Sequence, residues 1–221
     1  VPPRVEYGAV TEPWWSDKPL AIVGTGPSLK GFDFAALNDP RWRVLAVKQA
    51  VWDLPFADAC FGLDIPWMRR ERERLIELAA RIPLYLAVPD EEPGKYDPIP
   101  HAINLIRTRV CDVMSEKPTH IESGGNSGFG AVNLALLKRA RRVVLFGYDY
   151  YAGHYCEDRY AHNAPGHNAR YWPRWGENFI RCADQLKGCG MTVINASPRS
   201  TVDAFPKVTI AEGMRLLAEG V

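Results

Sequence analysis

An α/β fold with a mostly parallel sheet flanked by helices is what this sequence predicts, and three observations carry the prediction. Short apolar runs alternate with stretches of helical character, as in a chain that threads strand and helix in turn. These runs lack polar alternation, so they read as strands covered on both faces. One run empties into a glycine-rich turn, and a second glycine-rich turn opens a helix. Together they define a single Rossmann-like domain, doubly wound, with its loops converging at the carboxyl ends of the strands.

In chain order, residues 1–18 read as an N-terminal arm. Pro2, Pro3 and Pro13 keep it extended, and the pair Trp14-Trp15 docks it. Residues 19–221 then form one α/β domain. Its strands fall at Leu20 to Val23, Val44 to Val47, Ala59 to Gly62, Leu84 to Val88, Val143 to Phe146 and Thr192 to Ile194. Apolar residues at helical spacing place helices at Trp67 to Arg81, Asn126 to Arg139 and Trp175 to Lys187. The proline-rich stretch Pro89 to Pro100 is a loop, and Tyr148 to Pro173 is a longer one rich in Tyr, His, Asn and Gly.

The composition, 47% hydrophobic and 24% charged over 221 residues, excludes disorder, collagen and coiled coil. With 27 Lys and Arg against 26 Asp and Glu the chain has no global basic field, so strong non-specific nucleic-acid binding is not expected. No apolar run is long enough to cross a bilayer and no signal pattern opens the chain. Five cysteines without a Cys-x-x-Cys read as reduced thiols. The expectation is a cytoplasmic protein, in the host cytoplasm if phage-encoded, without membrane association.

Three segments carry chemistry. Gly24-Thr25-Gly26-Pro27-Ser28 lies where a buried strand ends, and glycine there lets backbone amides approach a phosphate. Leu29 stands where a dinucleotide fingerprint needs its third glycine and no Walker lysine follows, so the turn is either a less common phosphate cradle or purely structural. Ser123-Gly124-Gly125-Asn126-Ser127-Gly128 puts small residues at a helix amino terminus, where unpaired N–H groups and the dipole favour an anion; an ordinary N-cap is the simpler alternative. Gly147-Tyr148-Asp149-Tyr150-Tyr151, followed by His154, Tyr155, Tyr160, His162 and His167, has the composition of an active-site loop. Asp149 either orients a ribose or caps its turn. A zinc set of His154, Cys156, His162 and His167 fits no regular spacing. Arg69 to Arg74 reads as a solvated helix face, and Trp172 with Trp175 as either a stacking platform or a loop anchor.

Four blocks in this order, Ile22 to Leu29, Asn126 to Gly128, Val144 to Tyr151 and Ile194 to Ser200, resemble bacterial lipo-oligosaccharide sialyltransferases. The same skeleton is similar to the domain shared by motility-associated flagellin glycosylation factors, archaeal 6-hydroxymethylpterin pyrophosphokinase and uncharacterised phage proteins. The resemblance implies a metal-independent inverting glycosyltransferase that takes a nucleotide-activated sugar and needs no cofactor. By position it implies nucleotide contacts from Gly24, Thr25, Gly26, Ser127, Gly128, Ser197 and Ser200, and the residues beside them, Pro27, Ser28, Asn126 and Asp149, are candidates for the same site. It also implies Tyr151, with Tyr155 or Tyr160, on the departing phosphate, and His167, with His162 in reserve, as general base.

Two departures stand out. Thr25 replaces an asparagine of the family's turn, losing an amide donor. Lys48 occupies another asparagine position and adds a cation that suits a diphosphate or triphosphate. Two alternatives therefore stay open: a magnesium-dependent pyrophosphokinase or nucleobase-modifying transferase of phage type, and a non-catalytic nucleotide-binding accessory protein.

Overall fold

Along the first strand, Leu20 and Ile22 join one buried cluster while Ala21 and Val23 join another, so side chains that alternate in sequence enter two cores on opposite faces. That strand, β1 (Leu20–Val23), lies inside one eight-stranded sheet completed by β2 (Arg43–Val47), β3 (Ala59–Gly62), β4 (Leu84–Val88), β5 (Ile103–Thr108), β6 (His120–Glu122), β7 (Arg142–Phe146) and β8 (Thr192–Asn195). The computed structural model describes residues 5–89, 96–108, 113–151, 153–156 and 169–220. The spatial order is β6-β5-β4-β3-β2-β1-β7-β8, and every pairing is parallel.

Helices cover both faces, as a parallel sheet requires. On one side lie α3 (Ser127–Leu137), through Phe129, Val132 and Leu134, and α4 (Trp172–Gly188), through Phe179, Cys182 and Leu186. On the other lie α1 (Ile65–Arg70), α2 (Arg72–Ala79) and α5 (Ile210–Glu219), through Trp67, Leu75 and Leu217. The single helix expected over 67–81 is two, broken at Glu71, whose carboxylate accepts from Gln49 Nε2 at 3.3 Å and from Arg74 at 3.1 Å. Strands β5 and β6 and helix α5 were not expected from the sequence. Among the described residues no helix is long and apolar enough to cross a membrane.

The N-terminal segment is laid on by main-chain bonds from Gly8 N–H to Asn104 O (2.8 Å) and Val10 N–H to Pro118 O (2.7 Å). Trp15 is buried, whereas Trp14 stays at the surface beneath the Arg139 guanidinium. The buried Lys138 ammonium donates to the carbonyls of Thr11 (2.7 Å) and Pro13 (3.2 Å) and lies 5.4 Å from the Trp15 and Tyr85 rings.

The path of the chain fixes where a ligand can bind. From β1 it steps outward through β2 to β6, then returns through α3 to β7 on the opposite flank of β1. Val23 pairs with both Ala46 and Phe146, so β1, β2 and β7 end at one level and release Gly24, Lys48 and Gly147 onto a common rim. Such a reversal of strand order opens a crevice at the carboxyl ends, the usual ligand position in sheets of this kind.

Candidate functional site

A cavity of about 760 Å³ occupies that crevice, and both glycine-rich turns line it: Gly24 to Gly26 behind β1 and Gly125 to Gly128 at the start of α3. Its volume is in the range of sites that bury a small organic ligand.

Local packing explains the glycines. A Cβ on Gly26 would stand 1.9 Å from Asp149 Oδ2 and 2.5 Å from the Gly147 carbonyl oxygen. The Asp149 carboxylate is buried there and accepts from Ser28 N–H (3.3 Å) and Ser28 Oγ (2.8 Å). Burial pushes this carboxyl above its ordinary value, against the pull of the Ser28 bonds. At the second turn, a Cβ on Gly128 would stand 2.2 Å from the Tyr150 hydroxyl. In each case glycine makes room for a neighbouring side chain, a reason the sequence alone does not display.

Asn126 joins the two turns chemically. Its Oδ1 caps α3 by accepting from Phe129 N–H at 2.8 Å and also accepts from the Tyr150 hydroxyl at 2.7 Å. Two donors on the oxygen fix the amide's orientation. Its Nδ2, buried at the cavity wall, has no hydrogen-bond partner among the described residues. A buried donor without an acceptor costs on the order of 1–3 kcal/mol. The N-cap reading therefore holds for the Asn126 oxygen, while Ser127 and Gly128 at the same helix start line the cavity.

The charged lining is cationic. Lys48, Arg69 and Arg107 line the cavity with a single carboxylate, Asp64, among the described residues. Lys48 Nζ donates to Asp64 Oδ2 at 2.7 Å. Burial pushes the Asp64 carboxyl up, but Lys48 and the Trp67 N–H outweigh it and leave the group below its ordinary value. Lys48 (φ 52°) and Tyr150 (φ 55°) both hold left-handed backbone conformations that cost energy in residues with a Cβ, and both line the cavity.

His154 completes this wall. Its Nδ1 lies 2.8 Å from Thr25 Oγ1, and the next residue, Tyr155, donates its N–H to the Thr25 carbonyl at 3.0 Å. Burial pushes the imidazole down to about 4, helped by the Lys48 charge and opposed by a hydrogen bond to Thr25. The folded chain therefore refuses a proton that the unfolded chain binds below about pH 6.5, and stability falls as pH drops from about 6.5 towards 4, by up to about 3 kcal/mol. His154→Gln is expected to flatten this part of the profile, read from urea midpoints at pH 7.5 and 5. A slope equal to the parent's would assign it to other groups.

Of the residues nominated from sequence, Gly24, Thr25, Gly26, Lys48, Asn126, Ser127 and Gly128 line one cavity. Pro27 and Ser28 form a short 3₁₀ turn behind it. Asp149, Ser197 and Ser200 lie beneath it instead. Ser197 Oγ accepts from Tyr148 N–H at 3.0 Å, and Ser200 Oγ donates to the Tyr148 carbonyl, so these hydroxyls pin the end of β7. Tyr151 lies under the Arg199 guanidinium and Tyr155 donates to Asp53 Oδ2 at 2.6 Å; neither lines the cavity. The phenols that do are Tyr148 and Tyr150. Tyr160, His162 and His167 lie outside the described residues, as does Cys111. Among the described residues no group of three or more His, Cys, Asp and Glu is arranged to hold a metal ion. The sequence does not point to Asp64, Arg69 or Arg107 as site residues, and it places Tyr148, Tyr150 and His154 only within the loop after Gly147, without a role of their own.

Fold and cavity define the class: a Rossmann-like α/β protein with its pocket at the switch point of a parallel sheet. Among solved structures the chain is similar to the MAf glycosyltransferase from Magnetospirillum magneticum AMB-1, with a TM-score of 0.55 and 15% sequence identity. The match covers 99% of this chain and 39% of that protein, so the chain spans about two fifths of its neighbour's length, and the likeness is one of fold. No protein-family model and no curated protein matches the sequence.

Proposed function

We propose that the chain is a glycosyltransferase-like domain that binds a nucleotide-activated sugar in the switch-point cavity. The observation that carries this reading is the amino terminus of α3, whose Ser127 and Gly128 line the cavity together with the glycine turn behind β1. The N–H groups of that helix start present donors to a phosphate, close to the glycine turn behind β1. Lys48 supplies a cation on the same rim. Trp172 and Trp175 offer ring faces for a base or sugar, and the neighbour's fold is consistent with such chemistry.

In this reading the bond between the anomeric carbon and the donor phosphate breaks, and its electron pair leaves with the phosphate. The acceptor oxygen bonds to that carbon from the opposite side, and its proton passes to a histidine, His167 with His162 as the alternative. Tyr150 holds Asn126, and with it the start of α3, in place, whereas the family resemblance puts Tyr151, with Tyr155 or Tyr160, on the departing phosphate itself. The second reading, magnesium-dependent pyrophosphoryl or nucleobase transfer, draws on the cationic lining, which also suits a polyphosphate.

Thermal shift against CMP, CDP, UDP, ADP and ATP, with and without magnesium, separates the two. CMP is expected to raise the melting temperature without magnesium. A shift confined to magnesium-ATP supports the second reading, and silence from every nucleotide removes both. Binding without any transfer to an acceptor would instead leave an accessory protein.

A further inference from the structure

The cavity has two chemically distinct ends. One carries the glycine turns, Asn126 and the start of α3, grouped around the exits of β1 and β7. The other is built over the exit of β3. Arg107 belongs to β5, yet its Nη1 donates to the Leu63 carbonyl at 2.8 Å, which sets its guanidinium over the end of β3. Arg69, in the last turn of α1, also lines the cavity, and α1 starts directly after Asp64 at the exit of β3. Lys48, at the exit of β2, stands between the two ends and bonds to Asp64. Two strand spacings separate the exits of β1 and β3, so the arginine wall stands ~10 Å from the glycine turn. Neighbouring phosphates in a diphosphate share one oxygen and are too close together to occupy both ends.

We propose that Arg69 and Arg107 form a second anion subsite, which binds a phosphate or carboxylate group of the acceptor molecule. Guanidinium groups suit such a group because each presents paired N–H donors to two anionic oxygens. The subsite explains why a helix face that reads as solvated turns an arginine into the cavity. It makes the preferred acceptor an acidic one, with its reactive hydroxyl between the arginines and the donor phosphate. The assignment rests on the donor reading only for what fills the other end.

The test is calorimetric titration of inorganic phosphate, and in a parallel arm citrate, into the protein saturated with the nucleotide that binds best. The parent is compared with Arg69→Gln, Arg107→Gln and the double variant. Phosphate or citrate is expected to bind the saturated parent, and at least tenfold more weakly the double variant, while nucleotide affinity stays within twofold. The stronger of the two probes identifies the acceptor's acidic group. Loss of anion binding on nucleotide saturation, equal anion binding by the double variant, or a tenfold loss of nucleotide affinity in it would each overturn the proposal. Arg69 is solvent-exposed, so Arg69→Gln alone remains informative if Arg107→Gln fails to fold. If no nucleotide binds, the donor reading fails by itself, and anion binding by parent and variants without nucleotide still decides the arginine subsite.

Discussion

Gly26→Ala is expected to lower the melting temperature by about 10 °C and to abolish nucleotide binding. The added Cβ would meet two groups at once, the Asp149 carboxylate at 1.9 Å and the Gly147 carbonyl oxygen at 2.5 Å. The carboxylate has nowhere to withdraw, because it is buried and held by two bonds from Ser28. The carbonyl belongs to the backbone and accepts from Gly26 N–H at 2.9 Å, so relief requires parting the turns that follow β1 and β7. Overpacking of this kind costs about 3 kcal/mol, and each kcal/mol lowers the melting temperature of a chain this size by roughly 2–4 °C. Calorimetry checks the stability and nucleotide titration the binding. A variant melting within 2 °C of the parent would mean that the two turns are not rigidly joined. Adding Asp149→Ala should restore only part of the loss, since the clash with the carbonyl remains.

Lys48→Met is expected to weaken nucleotide binding about 100-fold with much less effect on folding. A charge-assisted hydrogen bond contributes roughly 1.5–3 kcal/mol. The substitution also leaves Asp64 as an unneutralised negative charge facing an incoming phosphate. These two parts can be separated, because Lys48→Met combined with Asp64→Asn removes the repulsion but not the lost attraction. The double variant should recover about tenfold of the affinity in calorimetric titrations. A single variant that binds within threefold of the parent would place the nucleotide away from the end of β2. Because methionine can adopt no easier backbone than lysine at φ 52°, the comparison is not confounded by local strain.

The strands that sequence reveals are those buried on both sides. Leu20 to Val23 and Leu84 to Val88 read as unbroken apolar runs because helices cover both of their faces. Strand β5 escapes notice because Asn104 and Arg107 interrupt it. One accepts from the Tyr96 hydroxyl at 2.9 Å and the other serves the cavity. Strand β6, three residues with His120 and Glu122 around one isoleucine, has no pattern to detect. Helix α5 had a readable signal, since Thr209 caps it three residues before Glu212 and Gly220 closes it in a left-handed conformation.

The candidate site divides in the same way. Glycine turns are legible because strand-to-turn and turn-to-helix transitions are local. Lys48, Asp64, Arg69 and Arg107 come from the ends of three strands and a helix, and only the strand order brings them together. The expected Tyr151 is displaced by its neighbour because Tyr150 takes a left-handed backbone and hydrogen-bonds to Asn126, a turn of one residue that no spacing rule encodes.

The placement of β1 also bears on how the chain assembles as it is made. One flank of Leu20–Val23 pairs with β2, translated some twenty residues later, but the other waits for β7. Until Arg142–Phe146 leaves the ribosome, β1 keeps a bare hydrogen-bonding margin, and no pocket exists at its tip. Ligand capture therefore waits for β7, and a nascent fragment ending before it should be sticky and blind to nucleotide.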